Sequence, residues 1–280
     1  MKIITSPAQM QAQAEAWRAA GLTIGLVPTM GYLHEGHLSL AAAARESCDI
    51  VVMSIFVNPT QFAPNEDLAT YPRNLPHDAR LAHGAGVDCL FCPAAAQMYP
   101  SGYASYVEVE GLSQRLCGIT RPSHFRGVAT VCLKLFHIVL PHHAFFGQKD
   151  AQQYLILRRM VEDLNLPLQL HRCPIVREAD GLAKSSRNLY LDTQQRQNAV
   201  ALHQALSHAQ ALYEAGERDA ATLRAAAVER IEATPGAKLD YVEIVSTADL
   251  QPLERLEKPF LMAMAVYFGK TRLIDNWICE

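Results

Sequence analysis

Continuous apolar runs alternate with amphipathic helical stretches through the first two thirds of this chain. Thr23–Pro28 and Ile50–Val57 are apolar runs, and the helical pattern Leu38–Ser47 lies between them. A strand without polar alternation is typical of a parallel sheet that is covered on both faces. The same alternation continues through the helical stretches Asp78–Ala85, Gly127–Val139 and Ala151–Leu164 and the strand-like stretches Gly86–Cys92, Ala144–Phe146 and Leu168–Val176. The pattern predicts an α/β fold with a doubly wound parallel sheet, whose ligands bind beyond the carboxyl ends of the strands.

The last third of the chain has a different composition. Gln194–Ala233 is rich in Ala, Gln, Glu and Arg with helical periodicity, and Thr234-Pro235-Gly236 ends it. Three strands are predicted after it, at Leu239–Ser246, at Phe260–Phe268 and, beyond a turn at Gly269-Lys270, at Thr271–Ile278. We therefore expect two domains, a Rossmann-like domain over residues 1–175 and a smaller α+β domain over residues 176–280.

Charge, hydropathy and cysteine usage exclude several classes of protein. The net charge of −3 argues against a broadly basic nucleic-acid-binding surface. No apolar run approaches the roughly 18–20 residues of a membrane span, and the amino terminus lacks the apolar core of a secretory signal. Seven cysteines, an odd number, indicate reduced thiols, and the lone pair Cys89 and Cys92 lacks the further ligands of a zinc site. We expect a cytoplasmic protein that binds neither nucleic acid nor a membrane.

The segment Pro28–His37 follows a predicted strand and opens a predicted helix. Its backbone N–H groups and the positive end of the helix dipole would favour a phosphate. His34 and His37 would lie on one helical face, where imidazolium donors stabilise developing negative charge, and Gly36 permits close approach to the backbone. A capped helix start with surface histidines explains the spacing equally well. The His-Glu-Gly-His spacing is one residue short of the zinc-binding H-E-x-x-H pattern.

A second polar segment, Lys184–Asn188, follows the Gly-containing stretch Arg177–Gly181. Its lysine, two hydroxyls and arginine would make a mobile clamp for a triphosphate, because phosphate oxygens accept hydrogen bonds from all of these groups. An exposed polar loop between domains is an equally good interpretation.

Two further features follow predicted strands. In the turn Gly147–Asp150, Lys149 would neutralise phosphate charge, and Asp150 would bind a ribose hydroxyl or a hydrated magnesium ion. The alternative is a strand-to-helix turn with Asp150 as the N-cap. Gln61 and Gln153 would grip an oxygen-rich small substrate, although each taken singly fits a surface amide.

Several ordered motifs occur together across nearly the whole chain. They are Pro28–His37, Phe56–Phe62, Tyr71–Arg73, Arg121–Val128, Phe146–Gln153, Arg177–Tyr190 and Thr271–Asn276. His34–His37 looks like a variant of the HIGH motif, and Lys184–Arg187 resembles the KMSKS-type loop of the same nucleotidyltransferase superfamily. Together the motifs resemble the pantothenate synthetase, or pantoate–β-alanine ligase, family. The resemblance implies ATP-dependent condensation of pantoate with β-alanine through an enzyme-bound pantoyl adenylate, with release of pyrophosphate and AMP.

The resemblance also implies roles for individual residues. His37, His34 and Lys149 are expected to be catalytic, with His37 as the proton-donating or charge-stabilising group. Gln61 and Gln153 are expected to bind pantoate, and Gln61 also β-alanine. The ATP-binding residues expected by matching position are Met30, Gly31, Tyr32, Leu33, His34, Glu35, Gly36, His37, Gly147, Gln148, Lys149, Asp150, Val176, Lys184, Ser185, Ser186 and Arg187. Mg²⁺ would accompany ATP near Asp150 without a protein cage, and a homodimer is expected.

Three positions depart from the family pattern. Cys117 stands where the family commonly has Glu, Gln148 replaces the Glu of Gly-Glu-Lys-Asp, and Lys184 replaces an apolar residue before Ser-Ser-Arg. Because two acids are lost and a base is gained near a polyanion, we expect a more positive pocket and tighter ATP binding through Lys184. The missing acid at position 117 places a salt bridge of the pocket or dimer surface in doubt.

Three other functions compete with this assignment. Another nucleotidyltransferase of the superfamily is disfavoured by Gln61 and Gln153. A class I aminoacyl-tRNA synthetase would need a tRNA-binding region that the charge pattern does not support. A non-catalytic nucleotide sensor would not need both histidines together with Lys149.

Overall fold

The computed structural model describes residues 1–64 and 66–280. Nine strands and ten α-helices follow in chain order within those ranges: β1 Lys2–Ile4, α1 Pro7–Ala19, β2 Ile24–Thr29, α2 Glu35–Ser47, β3 Ile50–Ile55, α3 Leu75–Gly84, β4 Cys89–Phe91, α4 Ala95–Met98, α5 Cys117–Thr120, α6 His124–Val139, β5 His143–Gly147, α7 Ala151–Asp163, β6 Gln169–Cys173, α8 Thr193–Asn198, α9 Ala201–Glu214, α10 Ala220–Glu232, β7 Ala237–Ser246, β8 Phe260–Phe268 and β9 Thr271–Cys279. The described helices include none that is both long and apolar enough to cross a membrane.

The first six strands form one wholly parallel sheet in the order β1-β4-β3-β2-β5-β6. From β2 the chain moves to β3 and β4 on one side and then returns to β5 and β6 on the other. Strand order therefore reverses between β2 and β5, and a ligand crevice forms beyond the carboxyl ends of strands at such a reversal. The predicted α/β fold with a doubly wound sheet is confirmed.

Helices cover both faces of this sheet, as the unbroken apolar strands require. Leu26 of β2 and Val52 of β3 pack on one face with apolar residues of α1, α6 and α7. Their sequence neighbours Val27 and Val51 pack on the other face with residues of α2 and α3. Successive strand residues point to opposite faces, so a strand between two helical layers must be apolar at every position.

The second sheet is antiparallel, in the order β7-β8-β9. Its three strands match the predicted ones within two residues, and the predicted α+β character is confirmed. The predicted continuous helical stretch Gln194–Ala233 is in fact three helices, because the chain turns near Ala199 and again at Gly216, which has a φ of +107°. Only glycine adopts that backbone conformation at little steric cost.

The division at residues 175 and 176 stays a prediction. It falls after β6, the last strand of the parallel sheet. One apolar core nevertheless crosses it, because Val245, Leu250 and Leu261 pack in the same cluster as α6 and α7. The second sheet therefore packs against α6 and α7.

Gly127 in α6 allows the helix to pack directly against the turn that follows β3. A Cβ at this position would lie 2.4 Å from the carbonyl oxygen of Thr60 and 2.7 Å from Cα of Gln61. We predict that Gly127→Ala lowers the free energy of unfolding by about 1–3 kcal/mol, because the backbone must move apart. Urea unfolding measures the effect.

Gly84 supplies the matched control for this prediction. It is also helical, and a Cβ there would meet nothing within 4 Å. Gly84→Ala should leave stability unchanged or raise it slightly, since alanine has the higher helix propensity. Equal losses from both substitutions would contradict the packing argument.

Candidate active site

A cleft of about 1260 Å³ opens beyond the carboxyl ends of β2, β3 and β5. It is larger than most small-molecule sites, which suits a nucleotide together with a second substrate. The cleft is lined by Met30, His34, Gly36, His37, Gln61, Gly147, Lys149, Asp150, Gln153, Val176, Lys184, Ser185, Ser186 and Arg187. Fourteen of the predicted site residues thus surround one space, although they come from four separate segments of the chain.

In the turn after β2, three consecutive backbone N–H groups are already paired. The buried carboxylate of Asp78 in α3 accepts hydrogen bonds from the N–H of Tyr32 at 2.9 Å and of Leu33 at 2.8 Å. The N–H of Gly31 donates to the hydroxyl of Thr29. These three N–H groups are engaged within the protein, so the expectation that the amides of this segment bind a phosphate stays a prediction, and the side chains of His34 and His37 line the cleft beside them.

Both histidines use one ring nitrogen to close the start of α2. His34 Nδ1 accepts a hydrogen bond from the N–H of Gly36 at 3.1 Å, and His37 Nδ1 accepts one from the N–H of His34 at 3.3 Å. An imidazole nitrogen that accepts a hydrogen bond carries no proton. The neutral ring of each histidine therefore bears its proton on Nε2. The sequence allowed either a capped helix start or histidines that face a binding site. The structure shows both, because His34 and His37 cap α2 and also line the cleft.

The two rings lie close together in a setting that disfavours positive charge. Their centroids are 4.0 Å apart. Burial and then the positive charge of Lys149 lower the pKa of His34 to about 4. Burial, the neighbouring His34 and Lys149 hold the pKa of His37 well below its ordinary value. The predicted imidazolium donors are thus neutral Nε2–H donors at neutral pH.

The sequence predicted that Gly36 lets another group come close to the backbone. In the structure that group is the ring of His34. A Cβ at Gly36 would lie 2.9 Å from Cε1 of the His34 ring. A larger residue would push this ring away from the helix start.

Gln61 is held at the floor of the cleft by a buried amide network. Asn58 donates through Nδ2 to Gln61 Oε1 at 3.1 Å and to the carbonyl of Gly127 at 3.1 Å. Because the oxygen of Gln61 is fixed in this way, its NH₂ group points towards Met30 Sδ, 3.2 Å away. Sequence reasoning assigned Gln61 to the site but missed Asn58, whose only signal was its place in the quoted Phe56–Phe62 motif.

The Lys184–Asn188 segment is tied to the rest of the cleft by ion pairs. Lys184 Nζ lies 3.0 Å from a carboxylate oxygen of Glu35 and 2.9 Å from one of Glu178. Arg187 makes two hydrogen bonds of 3.1 Å to Asp67. Lys184 therefore does not simply make the cleft more positive, because Glu35 and Glu178 offset its charge.

A second arginine on the cleft wall is paired in the same manner. Arg121 donates to the carboxylate of Glu66 from two nitrogens and also to the carbonyl of Gln61 at 3.3 Å. His124 Nδ1 lies 2.9 Å from the same carbonyl, and burial lowers the pKa of this histidine to about 4. Sequence analysis missed both pairs, because Glu66 and Asp67 lie about 55 and 120 residues from their partners.

Five predicted ATP-binding residues lie outside the cleft lining. Leu33 is buried in the apolar core, and Gly31 and Tyr32 form the Asp78-bound turn. Glu35 is paired with Lys184, and Gln148 donates to Asn276 at 3.4 Å. The expectation that these five positions bind ATP stays a prediction, and their side chains do not line the cleft. Their part is to support residues that do line it.

The cysteines bear out the expectation of free thiols. All seven are unpaired, and the described residues form no cluster of three or more potential metal ligands. Cys117 lies 3.4 Å from Nη2 of Arg272, and Asp240 forms the ion pair with that arginine. Arg272 therefore has a carboxylate partner although position 117 holds a cysteine.

A family model described as Pantoate-beta-alanine ligase matches residues 2–278. The chain belongs to the pantoate–β-alanine ligase family. It is therefore an enzyme of the ligase class, and the resemblance stated from the motifs is confirmed. Pantothenate synthetases from Moorella thermoacetica and Heliobacterium modesticaldum are each 57% identical over 280 residues, covering 100% of this chain and 99% and 100% of theirs.

Solved structures of the family share the fold. Pantothenate synthetase from Thermus thermophilus superposes with a TM-score of 0.94 at 44% identity, over 99% of each chain. The pantoate–β-alanine ligase from Francisella tularensis has a TM-score of 0.81 at 33% identity and covers 99% of this chain and 97% of its own. That protein was solved in complex with beta-gamma ATP and β-alanine.

The lowered pKa of His34 gives stability a defined pH dependence. His34 has a pKa of 6.5 in the unfolded chain and a pKa of about 4 in the folded protein. Stability is therefore full above pH 6.5 and is lost as pH falls towards 4. Between pH 7.5 and pH 5 this histidine alone should cost about 2 kcal/mol of the free energy of unfolding.

The variant His34→Gln tests this dependence, since glutamine does not titrate. Urea unfolding at the two pH values should show a smaller loss in the variant than in the wild-type protein, by about 2 kcal/mol. An identical loss in both proteins would show that His34 is not held neutral by the fold.

Proposed function

We propose that this cleft condenses pantoate with β-alanine in two steps that share one binding space. In the first step a carboxylate oxygen of pantoate attacks the α-phosphorus of ATP, and the bond to the leaving pyrophosphate breaks. In the second step the amine of β-alanine attacks the acyl carbon of pantoyl adenylate, loses a proton, and AMP leaves. The observation that carries the proposal is the convergence of His34, His37, Lys149, Gln61 and Gln153 on one cleft.

The neutral histidines suit the first step. Each presents an Nε2–H group, because its Nδ1 is occupied by a backbone N–H. Such donors stabilise charge that grows on the phosphate oxygens in the transition state, and they need no reorganisation when they are held in advance. Lys149, which lines the same wall, would neutralise the charge of the departing pyrophosphate.

The fixed amides suit recognition of pantoate. Gln61 has its oxygen bound to Asn58, so its NH₂ group is the part left to meet a substrate oxygen. Gln153 lines the cleft on the β5–α7 side. These two amides would hold the hydroxyl and carboxylate oxygens of pantoate and align its carboxylate for attack.

We further propose that Val176 meets the adenine and that Ser185, Ser186 and Arg187 bind the triphosphate. Mg²⁺ would arrive with ATP, and Asp150 is the carboxylate on this wall that would contact the ion or its waters. A metal held by the nucleotide needs no protein cage.

A homodimer and a cytoplasmic location belong to the same proposal. Ile119 in α5 exposes 72% of its surface. One exposed apolar side chain is ordinary on a protein surface, so the homodimer is proposed from the family resemblance. The cytoplasm supplies the ATP that the proposed reaction consumes.

The proposal predicts ATP–pyrophosphate exchange that depends on pantoate. His37→Ala should lower this exchange by about 100-fold or more, because one preorganised donor to the reacting phosphate is lost. The measurement is isotope exchange with pantoate, without it, and with other carboxylic acids.

Two controls make this prediction sharp. His208→Ala removes an exposed histidine from α9 and should leave exchange unchanged. His37→Gln retains an N–H donor and should fall between His37→Ala and wild type. Exchange that proceeds equally without pantoate would overturn the substrate assignment, and normal exchange in a folded His37→Ala protein would remove the role of His37.

Lys184→Met should raise the KM for ATP. The ammonium group of Lys184 neutralises Glu35 and Glu178, so its removal leaves two carboxylates beside the expected path of the triphosphate. Lys184→Arg keeps the charge and should retain a KM close to wild type. Initial rates at varied ATP concentration measure the effect, and an unchanged KM in Lys184→Met would defeat the prediction.

A further inference from the structure

The edge strand β9 of the second sheet reaches across to the turn that carries Lys149. The side chain of Asn276 donates from Nδ2 to the carbonyl oxygens of Gln148, at 2.9 Å, and of Lys149, at 3.0 Å. Its own oxygen accepts a hydrogen bond from the side chain of Gln148 at 3.4 Å. Asn276 is only 4% exposed, so water does not replace these bonds. All the polar atoms of this side chain are thus engaged with one turn.

The preceding residue makes a matching contact with the other nucleotide-facing segment. Asp275, only 2% exposed, accepts hydrogen bonds from two nitrogens of Arg177, at 2.6 and 3.0 Å. Arg177 also donates to the carbonyl of Gly181 at 3.0 Å. Arg177–Gly181 is the stretch from which the Lys184–Asn188 segment extends, so Asp275 fixes its base.

The chemistry of the Asn276 contact is specific to an amide. Two carbonyl oxygens close to one atom need two N–H donors on that atom, and the asparagine NH₂ group provides both. A carboxylate of the same shape would instead place an oxygen against two carbonyl oxygens. Gln148 completes the arrangement, because its NH₂ group donates to the side-chain oxygen of Asn276.

We propose that Asn276 is a positioning residue for Lys149. It fixes the backbone of Gln148 and Lys149 so that the Lys149 side chain extends into the cleft at one place relative to the histidines. Asp275 acts in the same way on the base of the Lys184–Asn188 segment. Asn276 itself lines the cleft, but its polar atoms are all engaged with the turn, so it acts through that turn. The inference rests on the role proposed above for Lys149.

The substitution Asn276→Asp tests the inference, because it keeps the shape of the side chain and removes both donors. It should lower the maximal rate of pantoate-dependent ATP–pyrophosphate exchange by at least about ten-fold and raise the KM for ATP, since a small displacement of a catalytic group is costly. The KM for pantoate should stay close to wild type. Asn276→Ala should be no worse than Asn276→Asp, whereas a residue that only fills space would show the opposite order.

Two further variants separate positioning from loss of stability. Val266→Ala removes buried methyl groups from β8 without altering the turn contacts, so it should lower Tm and leave exchange close to wild type. Asn276→Ser keeps one donor in a smaller side chain and should recover part of the exchange lost in Asn276→Ala. These measurements keep the test decisive even if Asn276→Asp folds poorly.

A double variant distinguishes failure of the inference from failure of the proposed function. If Asn276 acts through Lys149, adding Asn276→Asp to Lys149→Ala should lower exchange little further. Loss of exchange in Lys149→Ala together with wild-type exchange in Asn276→Asp would overturn the positioning role and leave the proposed function standing. Normal exchange in Lys149→Ala would overturn the role of Lys149 and the positioning role with it.

Discussion

The carboxylate of Asp78 is the contact on which the arrangement of this cleft depends. It binds the backbone N–H groups of Tyr32 and Leu33 and so holds the turn between β2 and α2. A buried carboxylate loses its hydration, and hydrogen bonds from the backbone are what make its burial tolerable. The turn is thereby rigid before any substrate arrives. His34 and His37 follow this turn, so their positions relative to the parallel sheet are fixed as well.

The internal pairing of the turn changes the chemistry expected of it. Anion sites at helix starts commonly use free backbone N–H groups. Here Asp78 and the two histidines occupy four such groups, those of Tyr32, Leu33, His34 and Gly36. The side chains of His34, His37 and Lys149 line the cleft beside this turn. Burial keeps the histidines neutral, so they donate hydrogen bonds through Nε2 without adding the positive charge that Lys149 already provides.

Local sequence patterns predicted most of the fold. They did not predict contacts between residues that are distant in the sequence. The unbroken apolar run Ile50–Val57 identified a strand between two helical layers, and motif order identified the residues of the cleft. Nothing local distinguishes Asp78 from any other acid in an amphipathic helix, because its function depends on a turn 45 residues away. The same holds for Asn276, which lies 127 residues from the carbonyl of Lys149. Contacts of this kind are created by the fold.

The tautomer of the two cleft histidines tests this account most directly. Long-range ¹H–¹⁵N correlation spectra of the protein labelled at histidine nitrogen distinguish a proton on Nε2, a proton on Nδ1 and the doubly protonated ring. The account predicts neutral rings protonated at Nε2 for His34 and His37 at pH 7, with Asp78→Asn disturbing both signals. Doubly protonated rings, or protons on Nδ1, would contradict the hydrogen bonds on which the proposed chemistry rests.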